Sequence, residues 1–215
     1  SSSGGAYSAI VTYGWSGTVT PTKALYAFTP TSRTYSNVAA NQDAQNYTVA
    51  TALGDPNLVG WWPFNGDSED YSGYGHDGTV TGASYVTSSM GTVLDFEGVD
   101  YVSIPSSTFA TIHDKVTIAL WQYGDVALQP QNCNIFEGTR SGNRTLSAHV
   151  PWSTSVVYFD AGYAGTTYDR INKTATTAQY EGQWNHWVFT KDLTPDHMKI
   201  YLNGALWASG TGKSK

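Results

Sequence analysis

The sequence predicts an all-β fold, an antiparallel jelly-roll β-sandwich preceded by a small N-terminal β segment. Three observations carry this expectation. No segment places apolar residues at i, i+3, i+4 and i+7 over more than two turns, so no amphipathic helix is foreseen. Short alternating apolar and polar runs recur along the chain, separated by Gly, Pro and Asn. The composition is also that of a β-rich extracellular chain: 22 Gly, 15 Tyr and 8 Trp in 215 residues, with 13% charged residues against about 25% in an ordinary globular domain.

Taken in order, Tyr7 to Tyr13, Thr18 to Pro21, Tyr26 to Thr29 and Asn46 to Ala50 read as strands. The alternation then stops, and Gly54-Asp55-Pro56 breaks the chain. This places a domain boundary that leaves residues 1–52 as a partial β-sandwich repeat or linker and residues 53–215 as the main domain. Beyond it, Leu58 to Phe64, Val93 to Phe96, Tyr101 to Ile104, Val116 to Tyr123 and Asn134 to Glu137 have strand character. So do Leu146 to Val150, Val156 to Ala161, Trp184 to Thr190, His197 to Leu202 and Leu206 to Ser209. Regular spacing without intervening helices argues a large antiparallel sandwich. The clearest hairpin surrounds Asn203-Gly204, which supplies the two positive φ angles of a type I′ turn. On Trp184 to Thr190, strand alternation puts Trp187 and Phe189 on one face and Trp184, His186 and Val188 on the other. A lone histidine there reads as a bonded structural side chain rather than a ligand.

Charge and cysteine usage exclude several classes. The net charge is −6 and no Lys/Arg cluster is present, so a phosphate backbone or an anionic membrane surface is repelled more than attracted. No nucleic-acid partner is expected. No apolar run approaches the roughly 18 residues that span a bilayer, so no membrane insertion is expected. Cys133 is the single cysteine, which rules out an intramolecular disulfide and suits a bacterial protein that is secreted or held at the cell surface. The chain opens at Ser1 without a methionine or a signal peptide, as a mature or cloned fragment would.

Two clusters carry candidate chemistry. The loop from Asn65 to Asp77 gathers hard oxygen donors, with Asn65, Asp67, Asp70 and Asp77 as a candidate set for a structural Ca²⁺, an ion that takes about six to eight oxygens from a flexible loop. The alternative is that Asp70 and Asp77 cap turns by accepting nearby backbone N–H groups. The second cluster is Trp152, Tyr158, Asp160, Tyr163, Tyr168, Asp169 and Arg170. Rings that stack on sugar C–H faces, mixed with planar acids and a guanidinium that bond hydroxyls, make a glycan-binding set. If Tyr158 and Asp160 share a strand face, Phe159 points to the core and the polar pair faces the concave surface of the sheet. The alternative is a purely structural hydrogen-bond network. No catalytic residue is assigned: retaining glycoside hydrolysis needs two carboxyls about 5–5.5 Å apart, and although Asp95 and Glu97 alternate, they precede a turn.

The segments LVGWWPFNGDSEDYSGYGHDGTVTGA, VLDFEGVDYVSIP, VTIALWQYG, GQWNHWVFTKD and MKIYLNGALWASGTG occur in this order from Leu58 onward. Together they resemble the laminin-G-like, concanavalin A-like family of bacterial secreted proteins. The resemblance implies the jelly-roll fold, a further closing strand beyond Lys215 that often carries the last calcium ligand, and non-catalytic binding. The segment GWSGTVTPTKALYAFTPTSRTYSNVAANQDAQNYTVA resembles part of the transthyretin-like or carboxypeptidase-regulatory-like repeats of bacterial surface proteins. Tyr158 to Tyr163 is similar to the Y-F-K-A-G-x-Y motif of jelly-roll alginate lyases, but Asp160 stands where that motif has Lys and would repel a uronate carboxylate. The chain is therefore expected not to be an enzyme. It is expected to be an extracellular carbohydrate-binding, lectin-like module of a larger protein, meeting a polysaccharide or glycoconjugate and other domains of the same polypeptide. A structural or adhesive spacer that binds protein partners is the alternative; a polysaccharide lyase or hydrolase is a third reading.

Overall fold

Sixteen strands and two short 3₁₀ turns, Ser106–Phe109 and Thr177–Gln179, make up the regular structure of the described residues, which include no α-helix. The computed structural model describes residues 7–22, 27–50, 55–163 and 167–215. Its contacts divide the chain into Ser1–Ala110 and Thr111–Lys215. The boundary expected at 52/53 lies outside the described residues, as does Tyr26.

Within Ser1–Ala110 the strands are β1 (Trp15–Val19), β2 (Ala27–Thr29), β3 (Arg33–Val38), β4 (Thr48–Ala50), β5 (Thr79–Thr81), β6 (Ser84–Ser88), β7 (Gly91–Asp95) and β8 (Tyr101–Ser103). They pair as four separate antiparallel ribbons, β1 with β3, β2 with β4, β5 with β8 and β6 with β7. Two expected strands do not form: residues 7–13 and 58–64 carry no strand. For the second the reason is visible. The Trp61 N–H goes to the Asp70 carboxylate at 2.9 Å and the Trp61 carbonyl accepts from the Tyr71 N–H at 2.7 Å. Indole Nε1 of Trp62 donates to the His76 carbonyl at 2.9 Å. Backbone groups that would have built a ladder are used by the following loop.

Within Thr111–Lys215 the strands are β9 (Lys115–Tyr123), β10 (Phe136–Arg140), β11 (Asn143–His149), β12 (Val156–Tyr163), β13 (Thr167–Thr174), β14 (Trp184–Asp192), β15 (His197–Leu202) and β16 (Ala205–Gly210). They form two four-stranded antiparallel sheets, ordered β10-β11-β12-β13 and β16-β15-β14-β9. On β14 and β15 buried residues strictly alternate, with Trp187, Phe189, Met198 and Ile200 fully buried, as period-2 geometry requires. The core joins both sheets through Ala148, Val157, Phe159 and Ile171 on one side and Trp187, Phe189, Met198 and Ile200 on the other. The Phe189 ring lies edge-on to Phe136 and Phe159, each 5.3 Å away, and such pairs add about 0.5–1.5 kcal/mol each beyond the area they bury. This is a two-sheet β-sandwich.

Two tight turns set the register. Asn203 and Gly204 adopt φ of 50° and 82°, the type I′ geometry expected of Asn-Gly. Asn203 also accepts the His186 N–H through Oδ1 at 2.8 Å and donates through Nδ2 to the buried Asn185 at 2.9 Å. Ser141 and Gly142, with φ of 50° and 76°, make the same turn between β10 and β11.

Candidate functional site

One register row crosses the outer face of the sheet β10-β11-β12-β13: Glu137 on β10, Ser147 on β11, Asp160 on β12 and Arg170 on β13 stand side by side. The neighbouring row carries His149, Tyr158 and Asn172. Because Val157, Phe159 and Ala161 turn into the core, strand alternation turns Tyr158 and Asp160 the opposite way. The expected sharing of a face by these two residues is what the structure has.

The centre of the row is a fork. Arg170 donates through Nε to Asp160 Oδ1 at 2.6 Å and through Nη2 to Oδ2 at 2.7 Å. This bidentate geometry is the strong form of the pair. The Asp160 carboxylate raises the pKa of Arg170 above its usual value, chiefly through that hydrogen bond and against the opposing effect of burial. The guanidinium lies 4.6 Å from the Tyr158 ring centre and 5.2 Å from that of Tyr168, so two phenol rings fix it in a cation–π contact. Tyr168 remains 46% exposed and offers its ring to solvent.

A shallow niche beside the fork is lined by Arg144, Ser147, Asp160, Gly162 and Tyr168. The Ser147 hydroxyl is fully buried and has no hydrogen-bond partner among the described residues. A buried hydroxyl left unpaired costs about 1–3 kcal/mol, so the niche holds an unmet demand for a polar group. Glu137, across Ser147 from Asp160, accepts from Asn134 Nδ2 at 2.6 Å. Both oxygens of Asp160 accept from Arg170, which leaves neither placed to deliver a proton to a leaving group.

Trp152 joins this face through a residue the sequence reading did not select. His149 is buried and packs edge-on to Trp152, with centroids 4.5 Å apart, and to Tyr158 at 6.2 Å. Its Nδ1–H donates to the Cys133 carbonyl at 2.8 Å. Burial lowers its pKa, outweighing the upward pull of that carbonyl and of Asp160. His149 thus contacts both the Trp152 and the Tyr158 ring. The signal was its position, an aromatic at an alternating site two residues beyond Ser147. Burial pushes the Cys133 thiol up, away from the thiolate a nucleophile needs.

Asp169 does not join the set. It pairs with Ala161, a core position, and its Oδ2 accepts the Lys215 N–H at 2.7 Å and lies 3.6 Å from the buried Lys191 ammonium. Tyr163 ends β12, but its side chain lies outside the described residues.

The acidic loop of Ser1–Ala110 is organised around Asp70. Its Oδ1 accepts the N–H groups of Trp61 and Ser72 at 2.9 and 2.8 Å, and its Oδ2 accepts the Ser72 hydroxyl and the His76 N–H at 2.7 and 3.0 Å. Burial pulls its pKa up, but these four donors prevail and hold it below the usual carboxylate value. Asp77 Oδ1 accepts the Asp70 N–H at 2.8 Å, while Asp67 accepts from Glu69 N–H and the Tyr71 hydroxyl. A carboxylate offers about four lone-pair sites, so Asp70 does not fit as a cation ligand in this arrangement. Among the described residues no group of three or more His, Cys, Asp or Glu converges as a metal site would need.

Comparison with known proteins agrees with this architecture. Residues 96–215 match the laminin-G-like model of the Concanavalin A-like lectin/glucanases superfamily. Domain 4 of AbnA, a GH43 extracellular arabinanase from Geobacillus stearothermophilus solved in complex with arabinotriose, is 20% identical. It superposes with a TM-score of 0.51 over 69% of this chain and 71% of its own. The binding domain of botulinum neurotoxin DC in complex with SialylT is 17% identical, with a TM-score of 0.52. The same domain in complex with rat synaptotagmin II is 16% identical, with a TM-score of 0.50. Each toxin comparison covers 68% of this chain and 37% of the toxin chain. At these identities the likeness is one of fold. No curated protein matches the sequence.

Proposed function

The chain belongs to the concanavalin A-like lectin/glucanase superfamily, and on that premise we propose that it is an extracellular carbohydrate-binding module of a larger bacterial protein, taking a glycan on the outer face of the sheet β10-β11-β12-β13. One observation carries the reading: the Asp160–Arg170 fork held between Tyr158 and Tyr168, beside a niche with an unpaired Ser147 hydroxyl. A sugar ring on the exposed face of Tyr168 would bring its hydroxyls to the rim of that fork, where rigid planar donors and acceptors give orientation at little entropic cost. Arabinotriose in the arabinanase neighbour supports this use of the fold. Synaptotagmin II bound to a toxin neighbour favours a second reading, a spacer that presents loops to a protein.

Affinity electrophoresis through gels containing soluble polysaccharides tests the reading. At least one neutral polymer is expected to retard the wild-type protein. Tyr168→Ala, which removes a half-exposed ring and leaves the core intact, is expected to weaken that retardation by a few-fold to about tenfold. An absence of retardation across the panel would favour the spacer.

A further inference from the structure

The other sheet has an outer face that this site does not use. Register rows across β9, β14 and β15 fix what lies on it. At one end Tyr123 faces Trp184, with ring centroids 5.6 Å apart, and in the next row Trp121 faces His186 at 4.9 Å. Trp121 is 55% exposed and Tyr123 51% exposed, on a sheet whose inner face buries Trp187 and Phe189 completely. Fold stability explains the inner rings and leaves the outer ones without a role. Adjacent large rings kept in water mark a binding surface more often than a packing need.

Toward the other end the face changes character. Thr117, Thr190 and Lys199 share a row, and Lys115, Asp192 and His197 share the last. Here the surface hollows into a cavity of about 380 Å³ lined by these side chains. Lys115 is paired to Asp192 at 3.0 Å but is 65% exposed, so the pair is a weak surface one that an incoming anion can exchange. Asp192 is held by the Thr194 N–H as well, at 2.8 Å. Lys191, which also borders the cavity, is committed to Asp169 and to the Lys213 carbonyl. Two lysines therefore meet in one hollow of a chain whose net charge is −6. From the Tyr123 row to the Lys115 row is eight residues, or about 26 Å along the strand at roughly 3.3 Å per residue.

We propose that this face is a second binding track, one for an acidic polysaccharide: sugar rings stack on Trp121 and Tyr123, and a carboxylate or sulfate further along the chain enters the cavity between Lys115 and Lys199. The hydroxyls of Thr117 and Thr190 stand beside Lys199 in the cavity, where sugar hydroxyls next to the anionic group would meet them. A strand of densely spaced phosphates suits the surface less well, since two lysines and an acidic protein cannot neutralise one charge per nucleotide. The proposal does not depend on the Tyr168 site, because the two faces lie on opposite sides of the sandwich.

Affinity electrophoresis with polygalacturonate and with its methyl-esterified, uncharged form separates the ideas, with folding of every variant checked by circular dichroism. The wild-type protein should be retarded by both, and more by the acid. Trp121→Ala/Tyr123→Ala should lose retardation by both about tenfold or more. Lys115→Ala/Lys199→Ala should lose the preference for the acid while still binding the ester. Tyr168→Ala should retain wild-type retardation by this pair of polymers. The proposal fails if the folded ring variant binds as wild type, if the acid preference survives loss of both lysines, or if polygalacturonate never retards the protein. Loss of binding in Tyr168→Ala alone would assign these polymers to the first face, and stronger retention by single-stranded DNA than by polygalacturonate would assign the track to nucleic acid.

Discussion

Ser1–Ala110 and Thr111–Lys215 draw on the same Trp- and Tyr-rich alphabet and hold their order by different means. Every buried apolar side chain among the described residues belongs to the second unit. The buried side chains of the first are polar: Asp70, Ser72 and Thr108. In the second unit, eight strands of mostly six to nine residues pair four wide, so each apolar residue that alternates inward meets others from both sheets. In the first, paired ribbons leave Trp61 and Trp62 half-buried, and these residues are fixed by a backbone N–H to a carboxylate and an indole N–H to a carbonyl. Aromatic content alone does not make a core; sheet width and alternation do.

The difference predicts separate responses to mutation, the largest in the packed unit. Phe189→Ala removes a fully buried ring that touches Phe136, Phe159 and Trp187, and should cost about 3–5 kcal/mol in urea denaturation. Hydrogen exchange read by mass spectrometry should lose protection across β9–β16 and keep it around residues 61–78. Equal loss in both units would dissolve the distinction. Asp70→Asn acts on the other unit. An amide places two N–H donors where the Ser72 hydroxyl or the His76 N–H now donates, which should cost about 1–3 kcal/mol locally. Protection should fall around residues 61–78 and persist in the sandwich. The pH dependence follows from the same contacts. Asp70 has a folded pKa below its unfolded value near 3.9, so its contribution is present above that value and disappears as pH falls through the lower folded one. Acid should loosen this loop in the wild type, and Asp70→Asn should remove that step.

What the sequence made legible follows the same division. Strong period-2 alternation and the Asn203-Gly204 turn place β14, β15 and β16 correctly, because local geometry decides them. Ser141-Gly142 is an equally clear turn dipeptide and went unread, so both arms of the β10–β11 hairpin were expected but stopped short of the turn, at Glu137 and at Leu146 where the strands reach Arg140 and Asn143. β13 was hidden by its charges: Tyr168-Asp169-Arg170 looks like a site, yet the alternation that makes it a strand also separates Asp169 from its neighbours and sends it to Lys191. The partnership of β9 with β14, which builds the Trp121–His186 and Tyr123–Trp184 pairs, joins residues more than 60 positions apart, and no local pattern encodes such a register. Residues 58–64 mislead in the opposite sense. Their apolar run has strand character, but Asp70 competes successfully for their backbone.

The smallest expected effect concerns calcium, and it tests the polar unit most sharply. A site for this ion stabilises the folded state by RT ln(1 + [L]/Kd), about 1.4 kcal/mol when the ion is supplied at ten times its dissociation constant. In the loop around Asp70, both oxygens of that residue are filled by protein donors, and Asp67 and Asp77 each accept from the loop itself. Adding millimolar Ca²⁺ or EDTA should therefore leave the melting temperature and the exchange of residues 61–78 unchanged. A calcium-dependent rise in either, abolished by Asp67→Asn, would mean that the loop gives up its internal hydrogen bonds to hold the ion. The first unit would then be ordered by a ligand that reorganises it, and its contrast with the self-sufficient sandwich would be sharper still.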